Sequence, residues 1–146
     1  MASLTTDPVA AAGRGRWDAY ARHVPLVLIV DDEPVILRLL EINFRAAGFG
    51  VRTAGSGAGA LEAAAERAPD VVVLDLGLPD LDGRDVLRRL RGIDGLASIP
   101  VVVVSGADAD AVGEPGYAAD VEAVLTKPVE PTELVETVRR VVRRDA

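Results

Sequence analysis

One short apolar run that ends in a carboxylate constrains the fold of this chain more than any other feature. Residues 71–74 (VVVL) lead into Asp75 and then into a loop rich in Gly, Pro and Asp. An apolar run without alternation, made mostly of β-branched residues, is typical of a strand that is covered on both faces, as in a parallel sheet flanked by helices. The run therefore predicts a buried strand with Asp75 at its carboxyl end.

The same layout recurs along the chain. Three further apolar runs end in polar residues: 26–30 before Asp31 and Asp32, 101–104 before Ser105, and 123–125 before Thr126 and Lys127. Asp, Ser and Gly are common in turns, so any one of these strand ends taken alone indicates only a turn. Ligands of open α/β sheets bind beyond the carboxyl ends of the strands, however, and the repetition favours one shared site there.

Helical patterns alternate with these strands. The expected helices run from Pro34 to Ala47, from about Ala58 to Arg67, from about Arg84 to Arg91 and from about Pro131, and a short second strand spans 51–54. Alternating strands and helices predict an α/β fold, a doubly wound five-stranded parallel sheet with helices on both faces. Residues 107–122 should hold the fourth helix. Interior Gly costs about 1 kcal/mol and interior Pro about 3 kcal/mol, so we expect this helix to be irregular.

Composition limits the classes of function. A chain of 146 residues with 49% hydrophobic content predicts one domain, which we place at 25–146 behind a flexible leader at 1–24. Cysteine is absent, which excludes disulfides and thiol nucleophiles. The apolar runs are far shorter than the roughly 20 residues of a membrane helix, so we expect a soluble protein without a membrane partner. The absence of cysteine suits a reducing compartment, and we expect the protein to be cytoplasmic. A net charge of −7 argues against a nucleic-acid partner.

The leader offers one pattern of its own. Its residues Trp17, Tyr20, Ala21 and Val24 have the spacing of one helical face. They could form a docking turn or be an incidental aromatic pair in a mobile tail, and the sequence does not separate these two interpretations. The arginines at 139–144 are interpreted as solvated cations that complement the negative end of the last helix dipole.

Several motifs at the strand ends together resemble one known family. They are Asp31-Asp32, Asp75, Leu78-Pro79, Asp82-Gly83, Ser105-Gly106 and Lys127-Pro128. In this order and at these intervals the motifs are similar to the response-regulator receiver domain (CheY-like) of two-component signalling systems. The resemblance covers roughly residues 25–144. It implies a flavodoxin-like sheet of strand order 2-1-3-4-5, and it implies a cis peptide bond between Lys127 and Pro128.

A metal site is expected at the acidic edge. Clustered carboxylates repel one another unless a cation neutralises them, and hard oxygen ligands suit Mg²⁺. The resemblance implies that Asp32 and Asp75 bind Mg²⁺ directly together with the backbone carbonyl of Gly77. Asp31 would act mainly through water.

The resemblance also implies the function of the site. Asp75 would accept a phosphoryl group from a histidine kinase or a histidine phosphotransfer protein and become an aspartyl phosphate. Lys127 would neutralise charge, and Ser105 would hydrogen-bond the phosphoryl group. Because the residues end after the fifth helix, we expect a stand-alone receiver that relays a signal to a downstream protein and is not an enzyme in its own right.

Two alternatives come from other classes of function. Many family members carry Tyr or Phe where this chain has Val124, which favours a protein-interaction module that works without phosphorylation. An independent hydrolase that uses an aspartyl phosphate is the third possibility. Such phosphatases usually place a second Asp two residues after the nucleophile, where this chain has Gly77.

Overall fold

The strands and helices follow one another in the predicted order wherever the structure describes the chain. The computed structural model describes residues 24–106 and 121–145. Its strands are β1 (Leu26–Val30), β2 (Gly50–Ala54), β3 (Val71–Asp75), β4 (Val101–Ser105) and β5 (Ala123–Thr126). Its helices are α1 (Pro34–Ala46), α2 (Gly57–Glu66), α3 (Gly83–Arg91) and α4 (Pro131–Asp145). The predicted bounds differ from these by a single residue at most.

All five strands form one parallel sheet, with the order β2-β1-β3-β4-β5. This is the order 2-1-3-4-5, and the predicted fold class is confirmed. The register places Val30 beside Leu74, Asp75 beside Val104, and Ser105 beside Thr126. Because the strands are parallel and in this register, the polar residues that follow them collect at one edge of the sheet.

The core lies on both faces of the sheet. Every residue of β1, β3 and β4 is buried. Successive side chains of a strand point to opposite faces, so Ile29 and Val73 pack with Phe44 of α1, whereas Leu28 and Leu74 pack against the other face. Full burial of side chains of this size is worth about 1.5–3 kcal/mol each. This core fixes the strand ends that carry the site.

Local sequence sets the helix ends. Ser56 caps α2 by accepting a hydrogen bond from the amide of Gly59 at 3.0 Å, and Asp82 caps α3 by accepting one from the amide of Arg84 at 2.8 Å. Gly48, which follows the end of α1, has a φ of +99°, a conformation that glycine adopts without strain. These caps start α2 and α3 next to the edge where the polar residues collect.

Two predictions fall on residues 1–23 and 107–120, which lie outside the described residues. The flexible leader, with its boundary at residue 24, and the irregular fourth helix therefore stay predictions. Within the described ranges, each helix is too short or too polar to span a bilayer.

Candidate functional site

The residues predicted to form a site meet at the carboxyl edge of the sheet. Asp32, Asp75, Gly77, Ser105 and Lys127 line one open cavity of about 850 Å³, together with the loop that follows β3. Asp31, the sixth predicted residue, is bonded to Lys127 next to this cavity. The structure thus brings all six residues together.

Asp75 is held at the end of β3 by contacts to both of its oxygens. Its Oδ1 accepts a hydrogen bond from the amide of Gly77 at 3.0 Å, and its Oδ2 lies 3.2 Å from the Lys127 ammonium. The residue is only 5% exposed, yet it lines the cavity. A nearly buried carboxylate whose oxygens are fixed in this way is preorganised to react with a molecule that enters the cavity.

Lys127 connects two of the carboxylates. Its ammonium lies 3.3 Å from Asp31 Oδ2 as well as 3.2 Å from Asp75 Oδ2. Burial alone would lower the pKa of Lys127, but the negative charges of Asp75 and Asp31 and the hydrogen bonds to them outweigh it and raise that pKa above its ordinary value. The side chain is therefore a fixed cation in this crevice.

The backbone holds Lys127 in place as well. Its amide donates to the carbonyl oxygen of Ser105 at 2.8 Å, across the pairing of β4 with β5. The peptide bond between Lys127 and Pro128 is cis, which confirms that prediction. Lys127 is also the only lysine of the whole chain, a signal in the sequence that singles this position out from the many arginines.

The two neighbouring acids after β1 differ in their surroundings. Asp31 is buried, and its oxygens accept from the amide of Glu33 at 2.9 Å and from Lys127. Asp32 is exposed, lines the cavity and forms no hydrogen bond or ion pair with any other described residue. The carboxylate of Asp32 is thus the more available of the two for a ligand in the cavity.

The acid cluster fits a hard divalent cation. One carboxylate oxygen from each of Asp31, Asp32 and Asp75 can be chosen so that all three lie within 4.8 Å of one another. Such oxygens repel one another, and a single lysine cannot neutralise three negative charges. Mg²⁺ prefers carboxylate and carbonyl oxygens and keeps several waters, so an open cavity with acids on one side suits it. The donor set therefore fits a hard divalent cation such as Mg²⁺.

Ser105 brings a hydroxyl group to the cavity. It ends β4 between Asp75 and Lys127, and it is 2% exposed while still lining the cavity. A hydroxyl can donate and accept, so at this place it can bind an oxygen-rich group that approaches Asp75. Its position in the sheet register was predictable from the strand pattern alone.

The sequence interpretation missed Asp80. Asp80 belongs to the loop that lines the cavity, and its carboxylate accepts hydrogen bonds from the amides of Gly57 at 2.8 Å and Ala58 at 3.0 Å, at the start of α2. These two hydrogen bonds hold the pKa of Asp80 below its ordinary value, and the one from Ala58 has the larger effect. The sequence shows only an acidic residue in a Pro-Asp turn. Such a turn does not by itself indicate which helix the carboxylate will contact.

Next to the site, α1 exposes apolar side chains on one face. Val35 is 78% exposed, Leu39 43% and Ile42 53%. Their spacing puts them on a single side of the helix. Leu39 also borders a second, smaller cavity of about 400 Å³ beside Lys127. Exposed apolar side chains grouped on one helix face form a candidate surface for contact with another protein.

Known proteins match both the sequence and the fold. The model of the response regulator receiver domain family matches residues 27–139. The transcriptional regulatory protein KdpE of Mycobacterium tuberculosis is 48% identical over 120 residues, which are 82% of this chain and 52% of that protein. This chain spans about half the length of the curated relatives that it matches. That it acts as a stand-alone receiver stays a prediction.

Solved structures agree with the sheet topology. A receiver domain protein from Clostridium thermocellum superposes with a TM-score of 0.75 at 26% identity, over 84% of this chain and 97% of that chain. The chemotaxis protein CheY4 of Vibrio cholerae gives a TM-score of 0.76 at 27% identity, over 82% of this chain and 99% of its own. This chain therefore belongs to the response regulator receiver domain family and is the receiver domain of a two-component response regulator.

Proposed function

We propose that Asp75 accepts a phosphoryl group from a phosphohistidine in a Mg²⁺-dependent reaction. The donor would be a histidine kinase or a histidine phosphotransfer protein, and the phosphorylated domain would signal to a downstream protein by conformational change. The observation that carries this proposal is the contact of Asp75 with Lys127 at 3.2 Å, inside a cavity that also holds Asp32 and Ser105. A binding module has no need of a buried carboxylate, an ammonium and a hydroxyl in one crevice.

The transfer is a displacement at phosphorus. An oxygen of the Asp75 carboxylate forms a new bond to phosphorus while the bond between phosphorus and the histidine nitrogen breaks. The nitrogen keeps the electron pair of that bond, and Asp75 becomes an acyl phosphate. Such transfers depend on alignment and on neutralisation of charge more than on covalent assistance. The hydrogen bond from Gly77 fixes the orientation of the Asp75 carboxylate before the donor arrives.

Three oxygens of this chain would hold Mg²⁺. We assign the carboxylates of Asp32 and Asp75 and the carbonyl of Gly77 as direct ligands, and Asp31 as an acid that acts through water. The lining of the cavity supports this division, because Asp32, Asp75 and Gly77 line it, whereas Asp31 is buried next to it and is hydrogen-bonded to Lys127. When bound, Mg²⁺ would supply positive charge next to the oxygens of the phosphoryl group.

Lys127 and Ser105 act on the product. The Lys127 ammonium, now 3.2 Å from Asp75 Oδ2, would pair with a phosphoryl oxygen, so that the negative charge added at Asp75 is compensated. Ser105 would donate its hydroxyl proton to another oxygen of that group. Since Ser105 ends β4, any shift of this residue moves the chain that follows it, and this is the start of the conformational signal.

The partners should be proteins. The exposed apolar face of α1, formed by Val35, Leu39 and Ile42, lies beside the crevice and would suit a protein that presents the phosphohistidine. KdpE is named a transcriptional regulatory protein, and the match with this chain covers 52% of its length. The present chain has a net charge of −7, so we propose no direct contact of this domain with nucleic acid.

The test is incubation with acetyl phosphate, a small phosphodonor that needs no partner. With Mg²⁺, the intact mass should increase by one phosphoryl group, and EDTA should prevent the increase. An unchanged mass with Mg²⁺ would contradict the proposal. It would favour the module that works without phosphorylation, which Val124 supports because many receivers carry an aromatic residue at that position.

A further inference from the structure

The loop that follows Asp75 is tied to a neighbouring helix by one side chain. Both oxygens of Asp80 accept a hydrogen bond, one from the amide of Gly57 at 2.8 Å and one from the amide of Ala58 at 3.0 Å. These amides open α2 and have no acceptor within the helix. The positive end of the helix dipole also favours a carboxylate at this place. Asp80 thus anchors the loop to α2.

A close packing contact reinforces this anchor. A Cβ atom built on Gly57 would lie 2.9 Å from Cβ of Leu81 and 3.0 Å from a methyl group of Val86. Only glycine lets the helix start approach the loop this closely, because real Cβ atoms essentially never come within 3.0 Å of such neighbours. The loop and α2 therefore fit together through both hydrogen bonds and shape.

The other end of the loop is fixed at the reacting residue. The amide of Gly77 donates to Asp75 Oδ1 at 3.0 Å, and the amide of Leu76 donates to the carbonyl of Val104 at 3.3 Å. Only Leu78 and Pro79 separate Gly77 from the anchor at Asp80. Proline has a fixed φ, so this connection has little freedom. The position of Gly77 is consequently set from both sides.

We infer that Asp80 is a positioning residue for the acceptor site. Through its hydrogen bonds to α2 it holds Gly77 at the cavity, so that the Gly77 amide stays on Asp75 and the Gly77 carbonyl keeps its position. The inference rests on the proposed function, since it treats Gly77 as a ligand of Mg²⁺. Residues that orient metal ligands without touching the metal commonly affect affinity by about 10–100-fold.

A cap that serves only the helix offers a matched control. Ser56 also accepts a hydrogen bond from an amide in the first turn of α2, that of Gly59 at 3.0 Å, but it directly precedes α2 and is not part of the loop after Asp75. Ser56→Ala and Asp80→Ala both remove capping of the same helix end. Only Asp80→Ala releases the loop.

The first measurement is Mg²⁺ affinity by calorimetry. We expect Asp80→Ala to weaken binding about tenfold, the lower end of the range for residues that orient metal ligands, and Ser56→Ala to leave it unchanged. Asp80→Asn keeps one acceptor oxygen and should fall between the wild type and Asp80→Ala. With acetyl phosphate, Asp80→Ala should need more Mg²⁺ for half-maximal phosphorylation, while the rate at saturating Mg²⁺ changes little.

The second measurement needs no metal. Hydrogen exchange of the amides at 76–78 should accelerate in Asp80→Ala and stay as in the wild type in Ser56→Ala. Gly57→Ala keeps the carboxylate but pushes the loop away, so it should accelerate the same amides. Equal Mg²⁺ affinities and equal exchange in Asp80→Ala and Ser56→Ala would overturn the inference while leaving the proposed function intact. Failure of the wild type to bind Mg²⁺ would instead overturn the proposed function, and the positioning role with it.

Discussion

Lys127 and Asp75 form an ion pair of 3.2 Å although 52 positions separate them in the sequence. Asp75 ends β3, and Lys127 follows β5. These two strands are not neighbours in the sheet, because β4 lies between them. Ser105 ends β4, and its carbonyl accepts a hydrogen bond from the Lys127 amide at 2.8 Å. Three adjacent strands thus bring an acid, a hydroxyl and an ammonium to one edge of the sheet.

Replacement of the acceptor is the most direct prediction. Asp75→Asn should keep the fold and lose all phosphorylation by acetyl phosphate, because the amide retains the shape of the side chain but is not a nucleophile. Without metal the variant should be no less stable than the wild type, since it relieves repulsion among the three carboxylates. Intact mass and thermal unfolding measure the two effects.

Asp94→Asn is the matched control. Asp94 is exposed and lies between α3 and β4, at the end of the sheet away from the site. This variant should gain one phosphoryl group like the wild type. Phosphorylation of Asp75→Asn at the wild-type rate would show that another residue is the acceptor.

The two acids after β1 should contribute unequally to Mg²⁺ binding. Asp32→Ala removes an exposed carboxylate that lines the cavity, whereas Asp31→Ala removes a buried one that already binds Lys127. We therefore expect the larger loss of affinity from Asp32→Ala, measured by calorimetry. Equal losses would contradict the assignment of Asp32 as the direct ligand.

Asp80 should make stability depend on pH in the acid range. Hydrogen bonds from Ala58 and Gly57 lower the pKa of Asp80 in the folded state. Its contribution to the free energy of unfolding is then fully present above the pKa in the unfolded chain, about 3.9, and is lost as the pH falls through the lower folded value. Urea unfolding should show Asp80→Asn less stable than the wild type at neutral pH. The difference should shrink in strong acid, and a difference that is constant with pH would contradict this prediction.

Much of this arrangement was predictable because strand periodicity is a strong local signal. Apolar runs without alternation marked β1, β3 and β4, and in a parallel sheet their ends must share an edge, so Asp75 and Ser105 could be placed near each other. The contact of Asp80 with the start of α2 could not be predicted in this way. It depends on the path of a loop and on how closely Gly57 approaches Leu81, neither of which follows from local periodicity.

The last prediction uses the fact that Lys127 is the only lysine. Protein labelled with ¹³C-lysine should give one set of lysine side-chain NMR signals, so the titration of this ammonium can be followed without assignment. Burial lowers the pKa of Lys127, but the charges of Asp75 and Asp31 and the hydrogen bonds to them together raise this pKa by a larger amount. Asp75→Asn removes the charge that raises the pKa of Lys127 most and leaves the burial of Lys127 unchanged.

In metal-free protein, the pKa of Lys127 should therefore be lower in Asp75→Asn than in the wild type and unchanged in Asp94→Asn. An identical titration in all three proteins would mean that Lys127 and Asp75 are not paired in solution, and it would remove the main support for Asp75 as the acceptor.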